Sequence, residues 1–190
     1  MKNIFKKEKF SSKKFGNILI ISSIILFVFV YYPILSIYLI PQKKVTVKTT
    51  KEFTITIPSI NAQAHIISNV NPWDQNEYKA ALENGVAHAK GSYLPNQKGT
   101  VFLFAHSSDT PWHMTRTNTP FIKLPQVKSG EKIFLSKDGK LYSYKVVKKV
   151  IVNPSDVSFL KDLSKDQLLL QTCTPPGTAL KRLIVFAEKI

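Results

Sequence analysis

The chain has a single cysteine, Cys173, which excludes an internal disulfide. It leaves one thiol that is either buried and inert or put to use. Beside it stand four histidines, His65, His88, His106 and His113, scattered without the paired spacings of a zinc site. Seven glycines are too few and too dispersed to form a glycine-rich phosphate loop. Acidic residues are scarce, 12 against 27 lysines and arginines, and Asp109, Glu131 and Asp138 do not gather into a compact cluster that a calcium ion would need. No internal repeat or low-complexity segment appears. No cofactor or metal is expected.

What the chain has in excess is positive charge, a formal net of +15. Such a balance suits an anionic surface or a nucleic acid. The lysines alternate with apolar residues, as in YSYKVVKKVIV from Tyr142 to Val152, the pattern of a strand with one solvated face. Attraction to an anionic membrane or wall is the second reading. No nucleic-acid motif is present, and the aromatics are not interleaved with a basic patch.

Residues 1–14 carry Lys2, Lys6, Lys7, Lys9, Lys13 and Lys14 against Glu8 alone, and Ile18 to Ile40 runs without a charge. At a helical rise of about 1.5 Å per residue this run crosses a hydrocarbon core of about 30 Å. It exceeds the apolar core of a signal peptide, and no small-residue cleavage pattern follows. The expected organisation is a basic cytoplasmic segment at 1–14, a transmembrane anchor at 15–41, a basic tether at 42–51 and an extracytoplasmic domain at 52–190. The lysine cluster sets that orientation.

Within the domain, FTITI at Phe53–Ile57 alternates as a strand should and stops at Pro58. His65–Ile67 extends the sheet. Asp74 to Glu83 carries helix signals, with Asp74 as cap, Glu77 at the third position and Gly85 beyond the end. GTVFLFA at Gly99–Ala105 reads as a buried strand ending at His106, and Pro120–Leu124 as a short apolar anchor. Lys132–Ser136 and Leu141–Val152 are strands joined through Asp138-Gly139, a hairpin-turn signal. Many short strands, frequent turns and one clear helix predict a mainly β sandwich or barrel.

The last segment, LLLQTCTPPGTALKRLIVFA from Leu168 to Ala187, predicts two buried strands joined by a turn. Cys173 ends the first and Arg182 begins the second. His106 likewise follows a buried strand. In a closed barrel, strand ends of matching polarity gather at one rim. A thiolate there can attack a carbonyl, an imidazole can pass a proton to a leaving amine, and a guanidinium can hold an oxyanion. His113, in the same loop as His106, competes for the imidazole role. His65 and His88 have no reason in the sequence to meet Cys173.

The segment TCTPPGTALKRLIVFA resembles the catalytic signature of sortases, with its Thr-Cys strand end and an arginine opening an Arg-Leu-Ile-Val strand. ITIPSINAQAHI (Ile55–Ile66), ALENGVAHAKGSYLPNQKGTVFLFAH (Ala81–His106) and PFIKLPQVKSGEKIFL (Pro120–Leu135) resemble further family blocks in order. The resemblance implies a sortase-like closed β-barrel with one or two short helices. It implies that Cys173 is the nucleophile, His106 the general acid and base, and Arg182 the support of the substrate carbonyl. Thr172 and Thr174 are then the expected substrate-binding neighbours, and His88 matches a non-catalytic family histidine. Ala105, Ser107 and Asn96-Gln97 depart from the family pattern around this frame. The Thr-Cys-Thr-Pro-x-Gly form is most like the pilin-polymerising class, whereas the short tether is most like a single-anchor enzyme of another class, so the resemblance covers classes C, D and E.

The activity so implied is a cysteine transpeptidase that cleaves an LPxTG-like sorting signal through a thioester. The acyl group then passes to an amine on a cell-wall precursor or a pilin subunit. A cysteine L,D-transpeptidase is disfavoured because the Ser-x-Gly-Cys-x-Arg core is absent around Cys173. The alternative from another class is a catalytically silent, membrane-anchored β-domain that binds wall polymer or a protein partner.

Overall fold

The computed structural model describes residues 12–39, 44–109 and 119–190. His113 and most of the first basic segment lie outside the described residues. The chain divides into two compact units, Met1–Ile40 and Pro41–Ile190.

The first unit holds helix α1, Ser12–Leu39. Its stretch Lys13–Tyr32 is 20 residues long, apolar and exposed all round, so it is long enough and apolar enough to cross a membrane. The helix continues through Pro33, as membrane helices tolerate.

The second unit is a closed barrel of strands β1 (Thr54–Ile57), β2 (Ala62–Val70), β3 (Val86–Ala89), β4 (Val101–Phe104), β5 (Lys132–Lys137), β6 (Lys140–Val152), β7 (Gln167–Thr174) and β8 (Lys181–Lys189). Around the barrel they run β1-β2-β3-β4-β7-β8-β6-β5, and β5 pairs with β1. Most neighbours are antiparallel, while β2–β3 and β4–β7 are parallel. The described part of the stretch expected as a tether, residues 44–51, is hydrogen-bonded to this unit. The Val45 amide donates to Asn61 Oδ1 at 2.6 Å and the Thr50 amide to Ser136 Oγ at 2.6 Å.

The alternation in the sequence sorts cleanly into an inside and an outside. Val101, Leu103 and Ala105, with Leu168, Leu170, Leu183 and Val185, fill the barrel interior. Phe102, Phe104, Leu169 and Ile184 point outward into a second apolar cluster with Tyr78, Ala81 and Leu82 of α2 and with Phe159 and Leu160. That second layer explains why LLL and VFLF are unbroken apolar runs: both faces of β4 and β7 are covered. Phe159 and Leu160 belong to a single 3-10 turn, Ser158–Leu160, inside the β6–β7 connection. The β5–β6 hairpin turns through Asp138 and Gly139 at φ of 51° and 73°. Positive φ at both central residues is the turn that Asp-Gly favours.

Strand β3 is absent from the sequence-based expectation. Val-Ala-His-Ala is short and rich in alanine, and it becomes a strand through parallel pairing with β2 across helix α2 (Gln75–Glu83). The helix is capped as expected, with the Asp74 carboxylate accepting from the amides of Asn76 and Glu77 at 3.0 and 3.2 Å. Glu77 does not close the expected box on the Asp74 amide. That amide donates to the Asn71 carbonyl, and Glu77 Oε1 accepts instead from the Asn71 amide. The substitution Asp74→Ala removes both cap bonds and is expected to cost about 1 kcal/mol, or about 3 °C of Tm, measurable by calorimetry.

Candidate active site

Three strand ends meet on the outer face of the barrel. Strand β4 pairs with β7 in the register Val101↔Leu168 to Phe104↔Gln171, and β7 pairs with β8 in the register Leu169↔Phe186, Gln171↔Ile184 and Cys173↔Arg182. The outward residues therefore lie in rows across β4, β7 and β8. Phe102, Leu169 and Phe186 make one row, and Phe104, Gln171 and Ile184 make the next. The parallel register continues past β4. The Ala105 amide donates to the Gln171 carbonyl at 3.1 Å, and Thr172 Oγ1 donates to the Ala105 carbonyl at 2.9 Å. The following position sets His106 beside Cys173, so the third row is His106, Cys173 and Arg182.

Cys173 is free and half-buried. Directly opposed cross-strand residues hold their Cβ atoms about 5 Å apart, which puts the thiol and the base of the Arg182 side chain against each other. Arg182 donates from one terminal nitrogen to the carbonyls of Ala179 at 3.1 Å and Lys181 at 3.4 Å. Among the described residues no carboxylate lies within ion-pair distance of it. Its charge is aimed by backbone oxygens and is not neutralised. The loops behind the site are tied together where the Gly177 amide donates to Ser108 Oγ at 2.6 Å.

His106 is half-buried, and burial lowers its pKa below the ordinary 6.5, partly opposed by the negative charges of Asp109 and Glu83. The unfolded chain thus holds more protons than the folded one between the lowered value and 6.5. Stability from His106 is complete above that window and is lost as pH falls through it. Removing a neighbouring negative charge lowers the folded pKa further. Glu83→Gln is expected to shift the His106 titration to lower pH, as followed by NMR of the imidazole protons. An unmoved titration would show that Glu83 does not reach the ring.

The structure separates the remaining candidates. His88 is buried, with Nδ1 accepting from the Asn69 amide at 3.2 Å and Nε2 3.0 Å from the Tyr93 carbonyl. That is a satisfied structural histidine, as the sequence suggested. His65 is exposed, 4.0 Å from Glu52. Thr172 is only 2 % exposed and its hydroxyl is committed to Ala105, so its side chain faces the barrel interior. Thr174 is half-buried at the strand end, opposite Lys181. Among the described residues no three His, Cys, Asp or Glu side chains gather as a metal site.

Helix α2 brings a contributor that the sequence did not reveal. The Tyr78 ring stacks on Phe104 at 5.5 Å and 12°, one row below Cys173. Burial raises the Tyr78 pKa, the Cys173 charge raises it further and Arg182 lowers it. The phenol therefore stays protonated within electrostatic reach of the thiol and the guanidinium. The helix pattern was legible, but its position over this row depends on β3 pairing with β4, a long-range fact. Tyr78→Phe keeps the stack and loses the hydroxyl. We expect a fall of about fivefold in the rate of Cys173 alkylation at neutral pH, about 1 kcal/mol of thiolate stabilisation lost with a neighbouring hydroxyl dipole, with Tm unchanged.

Residues 55–190 match the family model for the sortase domain. The chain belongs to the sortase family. Curated relatives of this sortase include Sortase D of Bacillus subtilis (strain 168), 29% identical over 140 residues that cover 72% of this chain and 62% of the relative. Sortase A of Streptococcus agalactiae serotype III (strain NEM316) is 39% identical over 69 residues, covering 36% of this chain and 28% of that protein. The matched part of the sortase thus spans less than two thirds of the length of these relatives. Solved structures similar to it include a lid mutant of Sortase A from Corynebacterium diphtheriae, at 27% identity and TM-score 0.61, covering 76% of this chain and 72% of that one. Sortase C-1 from Actinomyces oris matches at 28% identity and TM-score 0.61, covering 74% and 75%. The relatives carry class names A, C and D, which fixes the family and leaves the class open.

Proposed function

We propose that this sortase is a membrane-anchored cysteine transpeptidase that cleaves an LPxTG-like sorting signal and transfers the acyl part to an amine. The carrying observation is the row of His106, Cys173 and Arg182 across β4, β7 and β8. In the first step the Cys173 thiolate attacks the carbonyl of the scissile peptide. Arg182 holds the oxyanion of the tetrahedral intermediate, and His106 protonates the departing amine, leaving a thioester on Cys173. In the second step an incoming amine attacks the thioester and gives its proton to His106. A new amide leaves and the thiolate returns. Both half-reactions use the same proton site, so the cycle closes without a cofactor.

Thr172 serves this site indirectly, by holding the Ala105 carbonyl just before His106, and Thr174 borders the substrate groove. Helix α1 anchors the chain with its basic N-terminal end in the cytoplasm and the barrel outside, where sorting-signal proteins and an amine of a wall precursor or pilin subunit would meet it. The direct test is mass spectrometry of the intact protein after incubation with an LPxTG-type peptide. A covalent adduct of the acyl fragment, mapped to Cys173 and released by hydroxylamine, is the expected result. Absence of any adduct across a panel of such peptides would defeat the reading.

A further inference from the structure

On the side of the barrel away from the site, lysines collect that the fold does not use. Strands β5 and β1 stand four positions round the eight-strand barrel from β4 and β7. In the β5–β6 ladder, Ile133, Leu135 and Tyr144 point into the core. Lys132 and Lys145 therefore point outward, and they are direct cross-strand partners. The same hairpin pairs Lys137 with Lys140. Like charges placed directly opposite each other on a ladder are destabilising. Lys137 is relieved by Asp138 at 2.6 Å. Lys132, Lys140 and Lys145 have no ion-pair partner within 4.0 Å among the described residues.

Residues 44–51 add to this face. Val45 is bonded at Asn61, beyond the end of β1, and Thr50 at Ser136, opposite the start of β1. There the Gly139 amide donates to the Thr50 carbonyl and the Asp138 amide to the Lys51 carbonyl, both at 3.0 Å. The segment thus runs along the outside of β1, and Thr56 and Ser136, outward by register, are only 4 % and 2 % exposed. Its Lys44, Lys48 and Lys51 are exposed and likewise have no ion-pair partner within 4.0 Å among the described residues. Val47 and Leu141 are exposed on the same stretches. The acids of this face are already engaged: Asp138 by Lys137, Glu131 by the Lys128 amide at 3.0 Å, and Glu52 at 4.0 Å from His65. Glu188, across the ladder from Lys145, does not come within 4.0 Å of it.

We infer that this face binds the anionic lipid headgroups of the membrane that α1 enters. The inference rests on the anchor reading and is independent of the chemistry at Cys173. Only residues 40–43 separate α1 from Lys44. At about 3.6 Å per residue, the chain from Leu39 to Lys44 spans at most about 18 Å, whatever its course. A lysine close to an anionic leaflet gains about fivefold in binding, and exposed apolar side chains among lysines suit the headgroup boundary. A barrel held by this face turns its β4–β7 side, with Cys173, away from lipid and leaves it open to peptide.

The test uses the full chain reconstituted into two kinds of vesicle, phosphatidylcholine alone and a mixture about one third phosphatidylglycerol. A membrane-impermeant acetylating reagent labels the lysines of barrels on the outer side, and mass spectrometry reads the rate at each. Lys44, Lys51 and Lys140 are expected to react about fivefold more slowly in the anionic vesicles. Lys79 of α2 and Lys161 of the β6–β7 connection should react alike in both. The difference should vanish in about 1 M salt, where the screening length is about 3 Å. It should also vanish in the Lys48→Glu, Lys132→Glu, Lys145→Glu variant, and the triple glutamine variant, which adds no new charge, should lose most of it. Equal rates for the native chain in the two vesicles, protection shared by Lys79 and Lys161, or protection that both variants retain overturns the inference. Soluble polyphosphate added to neutral vesicles separates another source. If it protects these lysines while anionic lipid does not, the face is a site for a wall polyanion and the inference is wrong. Loss of the chain from neutral vesicles on an alkaline wash defeats the anchor itself, and the inference with it.

Discussion

Replacing Cys173 with alanine is expected to reduce transpeptidation and donor hydrolysis by about 10⁴-fold or more, to the background rate, because no thioester can form. No second cysteine exists in the chain to take over. The side chain is half-buried on the outer face, outside the interior cluster of Leu168, Leu170, Leu183 and Val185. Its truncation should therefore alter stability by less than about 1 kcal/mol. Product analysis by mass spectrometry, together with the thermal midpoint, separates loss of chemistry from loss of fold. Cys173→Ser tests the same point more finely, since a hydroxyl keeps the shape but is a far weaker nucleophile without strong activation. Turnover retained by the alanine variant would move the chemistry off Cys173, and no turnover in the native chain would return it to the alternative of a silent β-domain. That domain has no requirement for a thiol opposite an arginine.

The parts of this site that the sequence made legible are those governed by local rules. An apolar run before Cys173 and another after Arg182 identify two buried strands, and Pro175-Pro176-Gly177 between them identifies the turn. Two such strands with a connecting turn pair antiparallel, which brings Cys173 to Arg182. His106 was legible only as a strand end. Its meeting with Cys173 depends on β4 lying parallel to β7, and nothing in either segment alone states that adjacency. The resemblance to the family supplied it. Strand β3 and the placement of Tyr78 stayed hidden for the same reason. Val86–Ala89 has a weak pattern of its own and is made a strand by its neighbours on both sides. Thr172 shows the limit from the other side: adjacency to the nucleophile suggested contact with substrate, but alternation along β7 turns its hydroxyl toward Ala105. Thr172, just before Cys173, is on the opposite face of the strand.

The same alternation separates stability from chemistry in this domain. Inward residues of β4, β7 and β8 belong to the barrel core, and outward residues form the rows that lead to the site. The covered rows, Phe102 to Phe186 and Phe104 to Ile184, anchor α2 and the β6–β7 connection. The last row is left partly open, and there the polar side chains occur. The outer layer thus holds the strand ends in register while leaving thiol, imidazole and guanidinium accessible. This predicts that substitutions on the outward face nearest the strand ends change rate more than stability.

Arg182 provides the sharpest case. Arg182→Ala is expected to lower kcat by about 10²- to 10³-fold, the cost of removing one oxyanion donor from a preorganised site. KM should change little if the guanidinium acts mainly on the charge that develops during attack. The geometry favours that role. The terminal nitrogen is fixed by the carbonyls of Ala179 and Lys181, so the fork is oriented before substrate arrives and has no carboxylate to release. Arg182→Lys keeps the charge but loses the planar fork and cannot satisfy both carbonyls while facing Cys173. It should recover no more than about a tenth of the native rate, whereas a site needing only positive charge would be largely restored. Alkylation of Cys173 by iodoacetamide supplies the control, because that reaction develops no oxyanion for Arg182 to hold. If Arg182→Ala slows alkylation as much as it slows peptide cleavage, the arginine acts on the thiol itself and its assignment to the carbonyl oxygen fails. If cleavage falls by two to three orders of magnitude while alkylation changes only a fewfold, the pairing of Cys173 with Arg182 across β7 and β8 is a nucleophile facing the support of its own intermediate.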